Sequence, residues 1–187
     1  MPAPTFAQPE RRSLLAPILI AAAVLLALGT GLYLYLPRRT ADITITHTAI
    51  LPTHTAFDTG SKLVGKQQRI EEDLYVLLTV RVDDKLRVPL FLSDITANLT
   101  GADGSTATTS AVEKNDLPAV YTAFPAIRPL TGAPLLREST IEPHSPLQGM
   151  VLLHFPIVQA IWDNRQSATL TLSFYHQAPI TITIPKQ

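Results

Sequence analysis

The sequence predicts an all-β fold: an immunoglobulin-like antiparallel β-sandwich with one short helix, preceded by a single N-terminal transmembrane helix. Three observations lead to this prediction. Residues 13–36 form a stretch of 24 residues without a charged side chain. The segments after residue 37 alternate apolar and polar residues, and Pro, Gly, Asn or Asp separates them. The chain has 187 residues, 46% hydrophobic and 16% charged, and its apolar excess is therefore concentrated at the N-terminal end.

The apolar stretch over residues 13–36 predicts a membrane anchor. A helix of this length rises roughly 36 Å, more than the roughly 30 Å of a hydrocarbon core. Two tyrosines near its end precede Arg38 and Arg39, which is typical of an interfacial aromatic belt followed by a charged stop. A cleaved signal peptide, with a small-residue site at residues 27–29, is the alternative.

The expected organisation is a single-pass membrane protein in contact with the membrane through residues 13–36. We expect a cytoplasmic tail over residues 1–12, a transmembrane signal anchor over residues 13–36 and an extracytoplasmic β-sandwich domain over residues 37–187. The domain then lies on the periplasmic or cell-surface side.

Short strands follow the anchor. Residues 74–82 give the strongest pattern, with Val, Leu and Tyr on alternating faces. Asp103-Gly104 predicts a tight hairpin turn, since Gly tolerates a positive φ. Strands are predicted at residues 43–48, 74–82, 95–99, 106–112, 149–155, 167–175 and 179–184, with a brief one at 135–141.

One helix and one long connection interrupt the strands. Residues 115–118 (Asn-Asp-Leu-Pro) predict the start of a short helix, and Pro125 ends it. Residues 125–146 contain five prolines and enough apolar residues to pack over the domain.

Three segments resemble a known group of domains. They are the strand at residues 74–82, the run Leu-Ser-Asp to Gly at residues 92–104, and Gly-Met-Val-Leu-Leu-His-Phe-Pro at residues 149–156. After a single N-terminal helix, this order resembles the immunoglobulin-like extracytoplasmic domains of the DUF4352 and FxLYD type, which are similar in architecture to the LEA type 2 sandwich. The resemblance implies a fold and an anchored location, and it supplies no catalytic residue.

The side chains that carry chemistry form no recognised motif. The absence of cysteine excludes thiolate catalysis and thiolate metal sites, and the five histidines lack the compact spacing of metal ligands. Carboxylates at residues 71–73 and 83–84 flank the strongest strand, and they favour solvated strand ends over a calcium site. Trp162 is interpreted as a cap on the core, with a recognition hot spot as the alternative. We therefore predict no catalytic, cofactor-binding or metal-binding residues, no cofactor, and no enzyme activity.

The function expected from these patterns is that of an interaction module. A formal net charge of zero gives no basis for nucleic-acid binding. We expect a protein-interaction or assembly-accessory role with a protein partner of unknown identity. The alternative is a small-ligand or lipid-binding domain that uses an apolar groove under the proline-rich segment 125–146.

Overall fold

The chain divides into two compact units, residues 1–38 and 39–187. The structure is a computed structural model, and it describes residues 15–35, 40–59 and 67–186. The first unit contains helix α1, Leu15–Tyr35. Its described side chains, Leu15 to Tyr33, are exposed.

The predicted membrane anchor over residues 13–36 is corrected by the structure. Within the described residues, no helix combines the length and the apolar character needed to cross a membrane. The predicted transmembrane helix and the single-pass membrane localisation are therefore wrong, and the membrane contact through residues 13–36 stays a prediction. The predicted tail over residues 1–12 lies outside the described residues.

The second unit is an antiparallel β-sandwich, as the alternation of apolar and polar residues predicted. One sheet has the order β1-β2-β6, and the other has the order β4-β3-β7-β8, with β5 paired to β3. The strands are β1 Ala41–Thr59, β2 Gln67–Asp84, β3 Leu90–Thr100, β4 Thr106–Ser110, β5 Thr140–Ile141, β6 Leu147–Phe155, β7 Ser167–Phe174 and β8 Ile180–Thr183.

Helices connect some of these strands. The single predicted helix is present as α2, Leu117–Ala123, but a 3₁₀ helix at Pro125–Leu130 follows it directly. A further short helix, α3, covers Gln159–Asp163 between β6 and β7. The prediction of one short helix is corrected accordingly. Pro125 is predicted to end the helix and Pro129 to lie in the long connection, but the φ angle of proline also suits a helical turn, and both residues lie in the 3₁₀ helix.

The main core lies between the two sheets. Leu74, Val76 and Leu78 of β2 point inward, and so do Leu170 and Leu172 of β7; all five are fully buried. These residues occupy every second position of their strands, and successive side chains of a strand point to opposite faces. The apolar side chains therefore share one face of each sheet, and burying these two faces against each other forms the sandwich. Trp162 of α3 packs against Phe155 at 5.7 Å between ring centroids and closes one end of this core.

A second apolar cluster lies on the outer face of the β1-β2-β6 sheet. Tyr75 and Leu77 of β2 and Leu152 of β6 contact Leu117 and Ile127 from the α2 region. Ile127 is fully buried. We call residues 115–130, which hold α2 and the 3₁₀ helix, the cover. This sheet is therefore buried on both faces at its centre.

The β1-β2 pair is longer than the sequence predicted. Its register runs from Ala41 opposite Asp84 to Thr59 opposite Gln67, whereas β6 pairs with β2 only from Leu74 to Val82. The outer part of the pair is thus a two-stranded ribbon. Pro52 is tolerated because β1 is an edge strand, where a missing N–H leaves no ladder bond unmade.

The chain passes from one sheet to the other after β4. Residues 106–110 pair with β3, and Val112 then donates its N–H to the carbonyl oxygen of Leu152 in β6 at 2.8 Å. Ala111, the residue before Val112, donates its N–H to the carbonyl oxygen of Ile95 in β3 at 2.9 Å. Residues 111–112 therefore join the two sheets along one side.

Candidate interaction surface

The outer face of the β4-β3-β7-β8 sheet, which we call the open face, carries almost only hydroxyl groups. Its outward positions alternate with the buried core residues of the same four strands. Twelve of its outward positions carry a hydroxyl or an amide group, and eight of these are threonine. The twelve are Thr96, Asn98, Thr100, Thr106, Thr108, Ser110, Ser167, Thr169, Thr171, Ser173, Thr181 and Thr183. Each of them is exposed or half-buried.

Strand register aligns these residues in rows across the sheet. One row runs Thr108, Asn98, Thr169, Thr183 from β4 to β8. In this row the Thr108 hydroxyl donates to Oδ1 of Asn98 at 2.6 Å. In the next row the hydroxyls of Thr171 and Thr181 are 2.9 Å apart. Neighbours in a row are about 4.8 Å apart, and neighbouring rows are two residues apart along each strand.

Two exposed aromatic residues lie at one end of the open face. Tyr175 donates its backbone N–H to the carbonyl oxygen of Phe91 at 3.0 Å, so the two residues are opposite each other where the β3-β7 pair ends. Phe91 is 48% exposed and Tyr175 is 53% exposed. We call this pair the aromatic patch. Phe91 lies between the buried residues Leu90 and Leu92, and Tyr175 follows the buried Phe174. Because successive side chains of a strand point to opposite faces, the side chains of Phe91 and Tyr175 point to the outside of the sheet.

Charged groups border the aromatic patch and pair with one another. Arg137 donates from Nη1 to a carboxylate oxygen of Glu113 at 2.7 Å and from Nε to the carbonyl oxygen of Ser93 at 3.1 Å. Its Nε lies 3.7 Å from a carboxylate oxygen of Asp94. The hydrogen bond to Glu113 and the charge of Asp94 raise the pKa of Arg137 above its ordinary value. Arg137 is therefore shared by two carboxylates at the border of the open face.

A β-bulge positions both the patch and these charges. The register between β3 and β7 shifts between Leu92 and Asp94, so Ser93 is an extra residue in β3. The bulge leaves the Ser93 carbonyl oxygen available to Arg137. Because of this extra residue, Phe91 before the bulge and Asp94 after it both lie on the outer face of the sheet.

The outer face of the other sheet is different, because the cover buries it. At its margin, Nε2 of His154 lies 2.8 Å from Oδ1 of Asp73, and the imidazole stacks on the Tyr75 ring at 4.9 Å. Tyr75 also contacts Phe124 of the cover at 5.1 Å. Burial, and to a smaller extent the Asp73 carboxylate, raises the pKa of Tyr75. The contacts of Tyr75 with Phe124 help to hold the cover on the sheet.

The proline-rich segment lines one groove. A cavity of about 510 Å³ lies between residues 111–115 and residues 135–139. Ala111, Val112, Leu135 and Leu136 give it apolar walls, and Glu113, Lys114 and Arg137 line its rim. Only the part of segment 125–146 around residue 137 contributes to this groove.

The structure places the residues that the sequence singled out in separate locations. Trp162 is buried at 1% exposure, which confirms its interpretation as a core cap. The Asp83 carboxylate accepts from Arg81, and Oδ1 of Asp84 accepts the N–H of Leu86 at 2.6 Å. His144 and His176 occupy turn positions with φ near +60°. Among the described residues, no group of three His, Asp or Glu side chains is arranged to hold a metal.

The open face and the aromatic patch were not predicted from the sequence. The threonine count was visible, but the outward alignment of these threonines depends on which strands become neighbours. Phe91 lies before the strand predicted from residue 95, and Tyr175 is the last residue of the strand predicted over residues 167–175. Their juxtaposition depends on the bulge at Ser93, for which the sequence carries no clear signal.

Comparisons with known proteins bear on the fold alone. No family model matches the chain, and no curated protein matches it. The resemblance to the FxLYD-type domains therefore stays a prediction. A functionally unknown protein from Listeria monocytogenes EGD-e is 7% identical over 80% of this chain and 79% of that chain, with a TM-score of 0.45. An uncharacterized β-sandwich protein from Clostridium difficile 630 is 13% identical over 80% of this chain and 89% of that chain, with a TM-score of 0.39. At these scores the likeness carries no functional argument.

Proposed function

We propose that the chain is a non-enzymatic interaction module whose partner docks on the open face. The observation that carries this proposal is the difference between the two outer faces. The cover buries apolar residues on one sheet, whereas the other sheet presents two exposed aromatic rings beside rows of hydroxyl groups. Aromatic side chains are enriched at the centres of interfaces, and charged residues are depleted there. The protein partner and the assembly role expected from the sequence are proposals of the same kind.

Hydroxyl-radical footprinting in the producing cells tests this proposal while the partner is still unidentified. If a partner covers the open face, oxidation of Phe91 and Tyr175 is lower in cells than in the purified chain. Leu130, which is 45% exposed on the cover, serves as the matched reference and keeps the same oxidation in both samples. Equal oxidation of the aromatic patch in cells and in the purified chain contradicts the proposal.

A second candidate function rests on the groove at residues 135–139. Its volume of about 510 Å³ lies within the roughly 300–1,000 Å³ of small-molecule sites, and four apolar residues line it. It supports the proposal of a small-ligand or lipid-binding domain that uses segment 125–146. The cover itself packs on the sheet through Ile127, so the groove is restricted to the later part of this segment.

Fluorescence of anilinonaphthalene sulfonate, an apolar anionic dye, tests the groove. The wild-type chain is expected to enhance the dye fluorescence, and Ala111→Phe, which fills the groove, is expected to abolish the enhancement. Ala123→Phe is the matched control, because Ala123 is exposed at the end of α2. The same enhancement in both variants, or none with the wild type, contradicts binding in the groove.

A further inference from the structure

We infer that the occupant of the open face is a neutral polysaccharide, whose sugar rings stack on Phe91 and Tyr175 and whose hydroxyl groups bond along the threonine rows. This inference rests on the proposed function, because it names the partner of the same surface. It requires three properties of the face: matching hydrogen-bond chemistry, matching charge, and a platform for an apolar ring face.

The hydrogen-bond chemistry of the rows suits a ligand that is itself covered with hydroxyl groups. A threonine or serine hydroxyl both donates and accepts, and the Asn98 amide does the same through two atoms. The twelve positions of the rows therefore carry groups that both donate and accept, although Thr108 already donates its hydroxyl hydrogen to Asn98. Because the rows repeat at regular strand spacing, they suit a polymer that presents its own hydroxyl groups at a regular interval.

The charge of the face argues for an uncharged polymer. The twelve positions of the rows are uncharged, and Asp94, opposite Ser173, is the charged outward residue beside them. At the border, Arg137 is held by Glu113 at 2.7 Å and by Asp94 at 3.7 Å, so it presents no free positive charge to an anionic polymer. The uncharged rows give no electrostatic preference for an acidic or a basic polymer.

The same rows argue against a protein as the principal occupant. Serine and threonine are under-represented among the residues that dominate protein interfaces. The aromatic patch contains two residues, whereas a protein hot spot is surrounded by further well-packed contacts that exclude water. An aromatic ring presents a flat apolar face, which suits the C–H face of a pyranose ring. The two residues are opposite each other at the end of neighbouring strands, so both exposed rings are near the same end of the rows.

Binding of the full chain to insoluble neutral polysaccharides tests the inference. The probes are swollen cellulose and colloidal chitin, and immobilised heparin is the anionic comparison. The wild-type chain is expected to co-sediment with at least one neutral probe and to remain in solution with heparin. Tyr175→Ser is expected to raise the Kd about tenfold, which is about 1.4 kcal/mol.

Two further variants separate specific binding from adsorption. Thr171→Val with Thr181→Val keeps the shape of the row and removes two hydroxyl groups, and it is expected to raise the Kd about tenfold. Thr44→Val is the matched control, because Thr44 is exposed on β1 of the other sheet, and its Kd is expected to stay at the wild-type value. An unchanged unfolding temperature shows that the variants are folded.

Each remaining outcome overturns the inference. These outcomes are no binding to either neutral probe, stronger binding to heparin, and equal binding by all variants. If the footprint of the aromatic patch is protected in cells while both neutral probes fail, the proposed function stands and the occupant is of another class, such as a protein. If neither the footprint nor the probes respond, both proposals fail.

Discussion

Arg165 is the residue whose environment is least expected from its type. It is 3% exposed, and among the described residues its hydrogen-bond partners include no carboxylate. Its guanidinium lies 4.2 Å from the Trp162 ring centroid and donates to the carbonyl oxygens of Trp162 and Pro185, both at 2.8 Å. Burial lowers its pKa, and Nε has no hydrogen-bond partner within the described part of the chain. Arg165 therefore fixes α3 to the C-terminal segment.

Replacement of Arg165 is expected to destabilise the chain. Arg165→Ala removes the side-chain donors to the carbonyl oxygens of Pro185 and Trp162, of which Trp162 still accepts the backbone N–H of residue 165, and it removes the contact with the Trp162 ring. We therefore expect a loss of about 2–3 kcal/mol in the free energy of unfolding. Arg128→Ala, at an exposed position of the 3₁₀ helix, is the control and is expected to change stability by less than about 0.5 kcal/mol. Urea unfolding curves measure both. Equal stabilities of the two variants would show that Arg165 is not a structural link.

Gly149 allows β6 to approach the proline-rich segment. A Cβ atom at Gly149 would lie 2.7 Å from Cβ and 2.8 Å from the backbone N of Leu135. Since backbone atoms cannot yield as a flexible side chain does, Gly149→Ala is expected to cost about 1–3 kcal/mol. Gly132→Ala, with nothing within 4 Å, is the control and is expected to be neutral. Thermal unfolding of the two variants compares them, and a neutral Gly149→Ala would contradict the close approach.

Tyr75 makes the free energy of unfolding depend on pH in the alkaline range. Its pKa is raised by burial and by Asp73, so the folded chain holds the phenol proton to higher pH than the unfolded chain does. Unfolding therefore releases a proton above about pH 10, and stability falls as the pH rises through the raised folded-state pKa. Unfolding temperatures between about pH 9 and pH 11 are expected to fall less in Tyr75→Phe than in the wild type. Tyr121→Phe is the comparison, and an identical pH dependence of Tyr75→Phe and wild type would refute the prediction.

At the scale of elements, Ile127 is the most deeply buried side chain of the cover. Ile127 is fully buried in the cluster with Tyr75 and Met150, whereas Leu130 in the same 3₁₀ helix is 45% exposed. Ile127→Ala is expected to destabilise the chain by about 2–4 kcal/mol, because it leaves a cavity under the cover. Leu130→Ala is the matched control and should cost less than about 0.5 kcal/mol. Denaturant midpoints distinguish the two, and a cost below about 1 kcal/mol for Ile127→Ala would mean that the cover is loosely attached.

The elements also show what the sequence predicts and what it does not. Residues 74–82, 95–99 and 167–175 alternate apolar and polar side chains, and each corresponds to an observed strand, because one face of each is buried. The outer part of β1 and β2 lacks this signal, since Pro52 and the charged residues 71–73 belong to a ribbon held by pairing between strands. The candidate site was less predictable than the fold, because it depends on the register of distant strands and on one bulge.

At the scale of the whole molecule, the core belongs to a single unit. The buried apolar residues of both clusters begin at Ala41, and the unit boundary lies at residue 38. A chain of residues 39–187 is therefore expected to fold cooperatively by itself. Its unfolding temperature should lie within about 3 °C of the value for the full chain, a shift that corresponds to about 1 kcal/mol at this size. A broad, non-cooperative transition would contradict this expectation.

The passage of residues 111–112 from one sheet to the other has a mechanical consequence. Ala111 bonds to β3 and Val112 bonds to β6, so this short segment acts as a seam between the layers. Separation of the layers at this point must break the hydrogen bond to β3 or the one to β6, so it always costs one of the two sheets a bond. In a calorimeter, the sandwich is expected to melt as a single peak, with equal calorimetric and van't Hoff enthalpies.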